Sequence, residues 1–215
     1  MTATLSPGPG TIFIIDDDAS FLKSMSRLLN AVGYTVRPFE SAQEFLGQLG
    51  PETSGCVITD LQMPGMDGLK LQDAMKKTSN PLPVIFLTGQ GDIPASVSAM
   101  RGGAEDFLTK RAPKEELLAA VERAFEREAR ERRQRAHLQD LRERFRDLSE
   151  RELEVLSHVV QGKMNKEIAA DLNINERTVK LHRTSITRKL KVQSAIELSR
   201  LADKAGLFKT EKTVE

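Results

Sequence analysis

Five short apolar runs, rich in β-branched residues, recur through the first half of the chain, and each gives way to polar punctuation and then to apolar residues at helical spacing. Thr11-Ile12-Phe13-Ile14-Ile15 stops at Asp16-Asp17-Asp18 and is followed by Phe21, Leu22, Met25, Leu28, Leu29 and Val32, a strand, an acidic loop and a helix. Gly33 suits the helix end, and Tyr34 to Phe39 reads as a second strand bounded by Pro38. Ser41 with Glu44 three residues later opens a short helix through Phe45, Leu46 and Leu49. Cys56-Val57-Ile58-Thr59 delivers Asp60 and then Pro64-Gly65, as a buried parallel strand does at its C-terminal end. Taken alone, Asp60 could equally start a turn. Pro83 to Thr88 and Ala104 to Lys110 are the fourth and fifth runs, with helices through Ile93, Val97 and Met100 between them and from Pro113 onward. Strand and helix alternate five times, which predicts an α/β doubly wound, five-stranded parallel sheet covered on both faces.

Parallel strands bring their C-terminal ends to one rim, where open α/β sheets keep their chemistry. Here the ends carry Asp16 and Asp17, Asp60, Thr88 and Lys110. Three converging carboxylates repel one another, and a hard divalent cation relieves that repulsion. Mg²⁺ accepts a few carboxylates and keeps waters for a phosphoryl oxygen. Thr88 and Lys110 supply a hydroxyl and an ammonium opposite the acids.

The second half carries a different pattern. From Lys114 to Asp147 there is neither Gly nor Pro, and Pro113 followed by Glu115 and Glu116 marks a helix start. Leu117, Leu118, Val121 and Phe125 can pack on the sheet, but Glu126 to Arg135 is almost wholly charged. Pairs such as Glu128/Arg132 support an exposed helix there, and a flexible linker is the alternative. Leu138, Leu141, Phe145 and Leu148 then step as a heptad seam, which fits either packing on the next module or a dimer contact. Ser149 and Glu152 form a capping box, Gly162 closes that helix, and Asn165 is placed as the cap of a short helix holding Ile168, Ala169 and Leu172. Asn173-Ile174-Asn175 turns the chain into a helix from Glu176 to Leu190. Two short helices about a tight turn make a helix-turn-helix, whose second helix fits the DNA major groove. Its buried positions are Val179, Ile186 and Leu190, leaving Lys180, His182, Arg183, Thr184 and Arg188 on a basic, polar face of the kind phosphates and base edges require. A last helix from Ser194 to Ala205 has Ile196, Leu198 and Leu201 for packing.

Charge sharpens this division. The 215 residues carry a net charge of +1, but residues 1–112 hold 9 basic against 12 acidic groups and residues 149–215 hold 13 against 10. The near balance excludes a wholesale polyanion or membrane-surface binder, and the basic end is the helix-turn-helix. Cys56 is the only cysteine, so neither an intramolecular disulfide nor a cysteine zinc cluster is available. No run reaches the roughly 18 apolar residues of a membrane span and Met1 to Gly10 lacks a signal-peptide core. A soluble, cytoplasmic protein is expected.

With those motifs in place, residues 11–122 resemble the receiver domain of two-component response regulators. Residues 148–207 resemble the LuxR/NarL-type effector domain through Leu-Ser-Glu-Arg-Glu at 148–152, Asn-Lys-Glu-Ile-Ala at 165–169 and Thr-Val-Lys-Leu-His-Arg at 178–183. Thr-Gly-Gln-Gly-Asp at 88–92 brings the FixJ branch closer. The resemblance implies a receiver at 1–122, a helical linker at 123–147, a four-helix DNA-binding domain at 148–208 and a tail at 209–215. It implies that Asp60 accepts a phosphoryl group from a sensor histidine kinase, and that Asp16, Asp17, Asp60 and the backbone carbonyl of Gln62 hold Mg²⁺. Thr88 and Lys110 would contact the phosphoryl oxygens, with Thr88 and Phe107 as switch residues. Lys180, Leu181 and Thr184 would face bases of double-stranded DNA, with Lys166, Thr178, His182, Arg183 and Arg188 nearer the backbone. Phosphorylation would drive homodimerisation on a promoter with paired half-sites, the last helix being the family's dimerisation helix. One departure stands out: the family's lysine is usually followed by proline, whereas Arg111 follows Lys110, which predicts a trans bond there. Two further readings are an atypical receiver on a phosphorylation-independent DNA-binding regulator, and an aspartyl-nucleophile phosphatase.

Overall fold

A computed structural model describes residues 10–89 and 93–207. Residues 1–9, the Gln90-Gly91-Asp92 part of the FixJ-like motif and the tail at 209–215 lie outside the described residues. The chain divides into two compact units between Glu131 and Arg132, and each is described by itself.

The first unit runs β1 (Thr11–Ile15), α1 (Ala19–Val32), β2 (Thr35–Phe39), α2 (Ala42–Gln48), β3 (Gly55–Thr59), α3 (Gly68–Lys76), β4 (Val84–Thr88), α4 (Ile93–Arg101), β5 (Asp106–Thr109) and the first part of α5 (Lys114–Arg146). The strands form one parallel sheet in the order β2-β1-β3-β4-β5. Because side chains alternate across a strand, each central strand feeds two apolar layers. Phe13, Ile15, Val57, Val84 and Phe86 meet Phe45, Leu71, Met75 and Ala99 on one face. Ile12, Ile14, Cys56, Ile58, Ile85 and Leu87 meet Leu22, Leu29, Leu117, Ala120, Val121 and Ala124 on the other. Phe125 of α5 stacks on Tyr34 at 5.7 Å between ring centroids.

One glycine fixes how α3 starts. A Cβ at Gly68 would lie 2.4 Å from the Asp60 carbonyl oxygen and 2.9 Å from Phe86 Cε1, so only glycine lets the helix begin directly beside Asp60. Its N–H donates to Leu61 O at 3.0 Å, and Asp67 caps the helix by accepting from Lys70 N–H at 2.8 Å.

The second unit takes its first core residues from the end of α5: Leu141, Phe145 and then Leu148 are buried with Val155, Leu156, Ile168, Val179, Ile186, Leu190 and Leu198. Of the two fates open to the heptad seam, packing on this module accounts for those three side chains. The remaining helices are α6 (Glu150–Val160), α7 (Asn165–Asp171), α8 (Glu176–Leu190) and α9 (Ala195–Ala205). Two local expectations are corrected. Asn165 is the first residue of α7 rather than its cap: Glu167 reaches back to accept the Met164 N–H at 2.6 Å, and the Asn165 amide oxygen accepts instead from Arg183 Nη1 at 2.9 Å. Ile196 does not pack but stays 69% exposed, because Leu198 and Ala202 take the inward face of α9.

The expected capping box does form on α6. Ser149 Oγ accepts from Glu152 N–H at 3.2 Å and the Glu152 carboxylate accepts from Ser149 N–H at 2.7 Å. That carboxylate is buried, and burial pushes its pKa up. The Lys189 ammonium at 2.7 Å, the Ser185 hydroxyl and the Ser149 backbone outweigh it and hold the group down at about 2. A depressed carboxyl contributes stability that is full above its unfolded value and lost as pH falls through the folded one. The second unit should therefore weaken between about pH 4.5 and about pH 2. Urea midpoints across that window should fall less steeply for Glu152→Gln than for the wild type.

Candidate functional site

The rim is assembled by backbone bonds that continue the ladders past the strand ends. β1 and β3 pair Ile15 with Thr59, and one step on, Asp60 N–H donates to Ile15 O at 2.9 Å while Asp16 N–H donates to Phe39 O at 3.1 Å. On the far side β4 and β5 pair Thr88 with Thr109, and Lys110 N–H donates to Thr88 O at 2.7 Å. The five positions named from the strand ends thus share one edge.

Asp16, Asp17 and Asp60 each offer an oxygen within 4.8 Å of the others. Asp16 is fully buried, Asp60 is 9% exposed and Asp17 is open to solvent. Lys110 Nζ bridges the two inner acids, 2.6 Å from Asp16 Oδ2 and 2.8 Å from Asp60 Oδ2. Burial pushes the Asp16 carboxyl up, against the opposing pull of Lys110 and the Asp18 N–H. Burial pulls Lys110 down, yet its bonds to Asp16 and Asp60 win and hold the ammonium above the ordinary lysine value. Gln62 N–H donates to Asp60 Oδ1 at 3.3 Å. Thr88 is buried at the end of β4, and Phe107 is half-buried with its ring 5.9 Å from that of Phe86. No peptide bond among the described residues is cis, so Lys110-Arg111 is trans, as the absence of proline predicts. The donor set is all oxygen, anionic and partly open, which fits a hard cation such as Mg²⁺.

In the second unit Lys180, Thr184, Arg188 and, on α7, Lys166 are exposed, and Leu181 presents an apolar side chain that is 65% exposed. His182 and Arg183 are half-buried, and Arg183 is the residue bonded to Asn165. Thr178 donates both its N–H and its hydroxyl to Asn175 Oδ1, at 2.8 and 2.9 Å, closing the start of α8. Sequence reasoning missed Phe21. Lys110 Nζ lies 4.4 Å from the centroid of its ring, but the helical spacing marks Phe21 only as an apolar residue of α1.

A doubly wound sheet with an acidic rim and a lysine opposite, followed by a helix-turn-helix, is the architecture of a two-component transcriptional regulator. Residues 12–122 match the response regulator receiver domain, and residues 146–202 match the luxR family of bacterial regulatory proteins. The chain belongs to the response regulators with a LuxR-type effector domain, the FixJ/NarL group. It is 40% identical over 200 residues to the response regulator protein TodT of Pseudomonas putida, covering 93% of this chain and 88% of that one. It is 39% identical over 199 residues to the transcriptional regulatory protein FixJ of Bradyrhizobium diazoefficiens, covering 93% and 97%. Among solved structures, the response regulator StyR aligns with a TM-score of 0.75 at 40% identity over 92% of this chain and all of that one. Receivers of this family use Mg²⁺ at an aspartate cluster, and the two domains together imply a cognate kinase and DNA as partners. No described helix is long and apolar enough to cross a membrane.

Proposed function

We propose that this protein is a cytoplasmic regulator in which Asp60 takes a phosphoryl group from the phosphohistidine of a sensor kinase, and that the modification governs self-association and promoter binding. The observation that carries the reading is the single nearly buried carboxylate at the end of β3, flanked by Asp16 and faced by Lys110. An Asp60 oxygen attacks phosphorus, the P–O bond forms as the P–N bond breaks, and the imidazole leaves with its electron pair. Asp16, Asp17, Asp60 and the Gln62 carbonyl would hold Mg²⁺, which neutralises phosphoryl oxygens during the transfer. Lys110 and Thr88 would take the remaining oxygens, and Lys110 must then exchange a carboxylate for a phosphoryl partner. Movement of Thr88 and Phe107 would shift the population toward an associating form. Ile93, Val97 and Met100 stand exposed along α4, and Ile196 on α9, which supports homodimer formation through apolar faces.

Lys180, Leu181 and Thr184 would face bases, with Lys166, Thr178, His182, Arg183 and Arg188 nearer phosphates. One effector domain makes few contacts, so pairing two on adjacent half-sites gives phosphorylation its leverage. The test is a promoter-fragment titration with and without a small phosphodonor in Mg²⁺, run beside sedimentation. Tighter binding and a dimer with phosphodonor are expected. Equal affinity in both arms would instead favour the phosphorylation-independent regulator, the reading that Arg111 behind Lys110 supports.

A further inference from the structure

The ammonium of Lys110 has a third partner beyond its two carboxylates, and the partner's position is set by the acidic loop itself. Asp16 Oδ1 accepts from Asp18 N–H at 3.0 Å, and Asp18 Oδ1 accepts in turn from the Ser20 and Phe21 N–H groups at 2.8 and 3.2 Å, capping α1. That cap orients the first turn of α1 so that the Phe21 ring stands 4.4 Å from Lys110 Nζ, which returns to Asp16 Oδ2. The contacts close a ring: Asp16, Asp18, Phe21, Lys110 and Asp16 again. A cation over an aromatic face is attracted by the ring's quadrupole, more so where water is partly excluded. Lys110 is 20% exposed, so the contact is partly desolvated. Arg111 leaves the backbone after Lys110 without the locked φ that a proline would impose, so placing the ammonium falls to side-chain partners.

We infer that Phe21 is a positioning residue for Lys110, holding its ammonium over the Asp16–Asp60 edge through a cation–π contact fixed by the Asp18 cap. The inference rests on Asp60 being the phosphoryl acceptor, since that gives the position of Lys110 its chemical consequence. Phe21 acts through Lys110 and touches no reacting atom.

The test uses the full chain and follows acid-labile phosphate uptake from a small phosphodonor at saturating Mg²⁺. Phe21→Leu keeps an apolar side chain but loses the π face, and should slow the maximal uptake rate by about three- to ten-fold without changing the donor concentration at half-saturation. Phe21→Tyr keeps the face and should return the rate to within about two-fold of wild type. In a Lys110→Ala background, Phe21→Leu should have no further effect, because the group it positions is gone. An unchanged rate for Phe21→Leu, or an equal loss in the Lys110→Ala background, overturns the inference. If the wild type takes up no phosphate, the acceptor reading fails separately. The inference is then decided by proton exchange at the Lys110 ¹⁵N ammonium, faster in Phe21→Leu and restored in Phe21→Tyr if it holds, and equal in all three if it does not.

Discussion

Asp60→Asn takes up no acid-labile phosphate from kinase or small phosphodonor: this is the expected result, and its effect is total rather than graded. The substitution keeps the shape of the side chain and its place beside Ile15 O, where the backbone N–H is bonded at 2.9 Å. It removes the anionic oxygen, and a neutral amide is not a nucleophile toward phosphorus. It also replaces the anionic partner of Lys110 at 2.8 Å by a neutral amide while leaving the carboxylate of Asp16, so the rim stays assembled. Acid and alkali lability of the label, followed by mass spectrometry of the intact chain, checks the result. Persistent labelling of Asp60→Asn would move the acceptor elsewhere on the rim.

Phe145→Ala carries the second large effect, on stability. Phe145 lies near the end of α5, within the linker bounds that the resemblance implies and on the seam that the spacing marks, and it is 2% exposed and packed among Leu141, Leu148 and the helices of the second unit. Truncating a buried phenylalanine removes its transfer energy and leaves a cavity, about 3–5 kcal/mol in all. Residues 132 onward should lose that much in urea titrations while the first unit keeps its midpoint, since the apolar residues that α5 gives to that unit's core run from Leu117 to Phe125. Amide hydrogen exchange resolves the two units separately. A loss under about 1 kcal/mol would mean that the site collapses around the smaller side chain.

The sheet and its rim were legible because both follow from rules of period and direction. Alternating β-branched runs mark strands, parallel strands share a rim, and Asp16, Asp60, Thr88 and Lys110 fall there by counting alone. Side-chain orientation within a helix is another matter. Leu28 and Phe21 both fit the apolar spacing of α1, and only the Asp18 cap and the placement of β5 bring the Phe21 ring to Lys110. Ile196 likewise satisfied an apolar pattern and ended in solvent, because α9 has more apolar residues than its buried face can take. The start of α7 was misplaced by one residue, since Asn165 is a good cap by type and the competing Glu167 to Met164 bond is invisible until the turn is built. The fate of the 138–148 seam depended on which surface lay nearest, a long-range fact that local spacing does not hold.

The strand order has a consequence for how the molecule is made. β1, in the interior of the sheet, is synthesised first, and β3 and then β4 pair outward from it in turn. Asp16, Asp17 and Asp60 therefore all precede Lys110 in the order of synthesis. A chain ending in β4 would hold these carboxylates with no ammonium opposite, and without a bound cation their repulsion would work against closure of that edge. β5 brings the ammonium that faces those carboxylates, and its backbone pairs with β4 at Thr88 to complete the sheet. One strand thus supplies both the last edge of the sheet and the positive charge that its acidic rim needs.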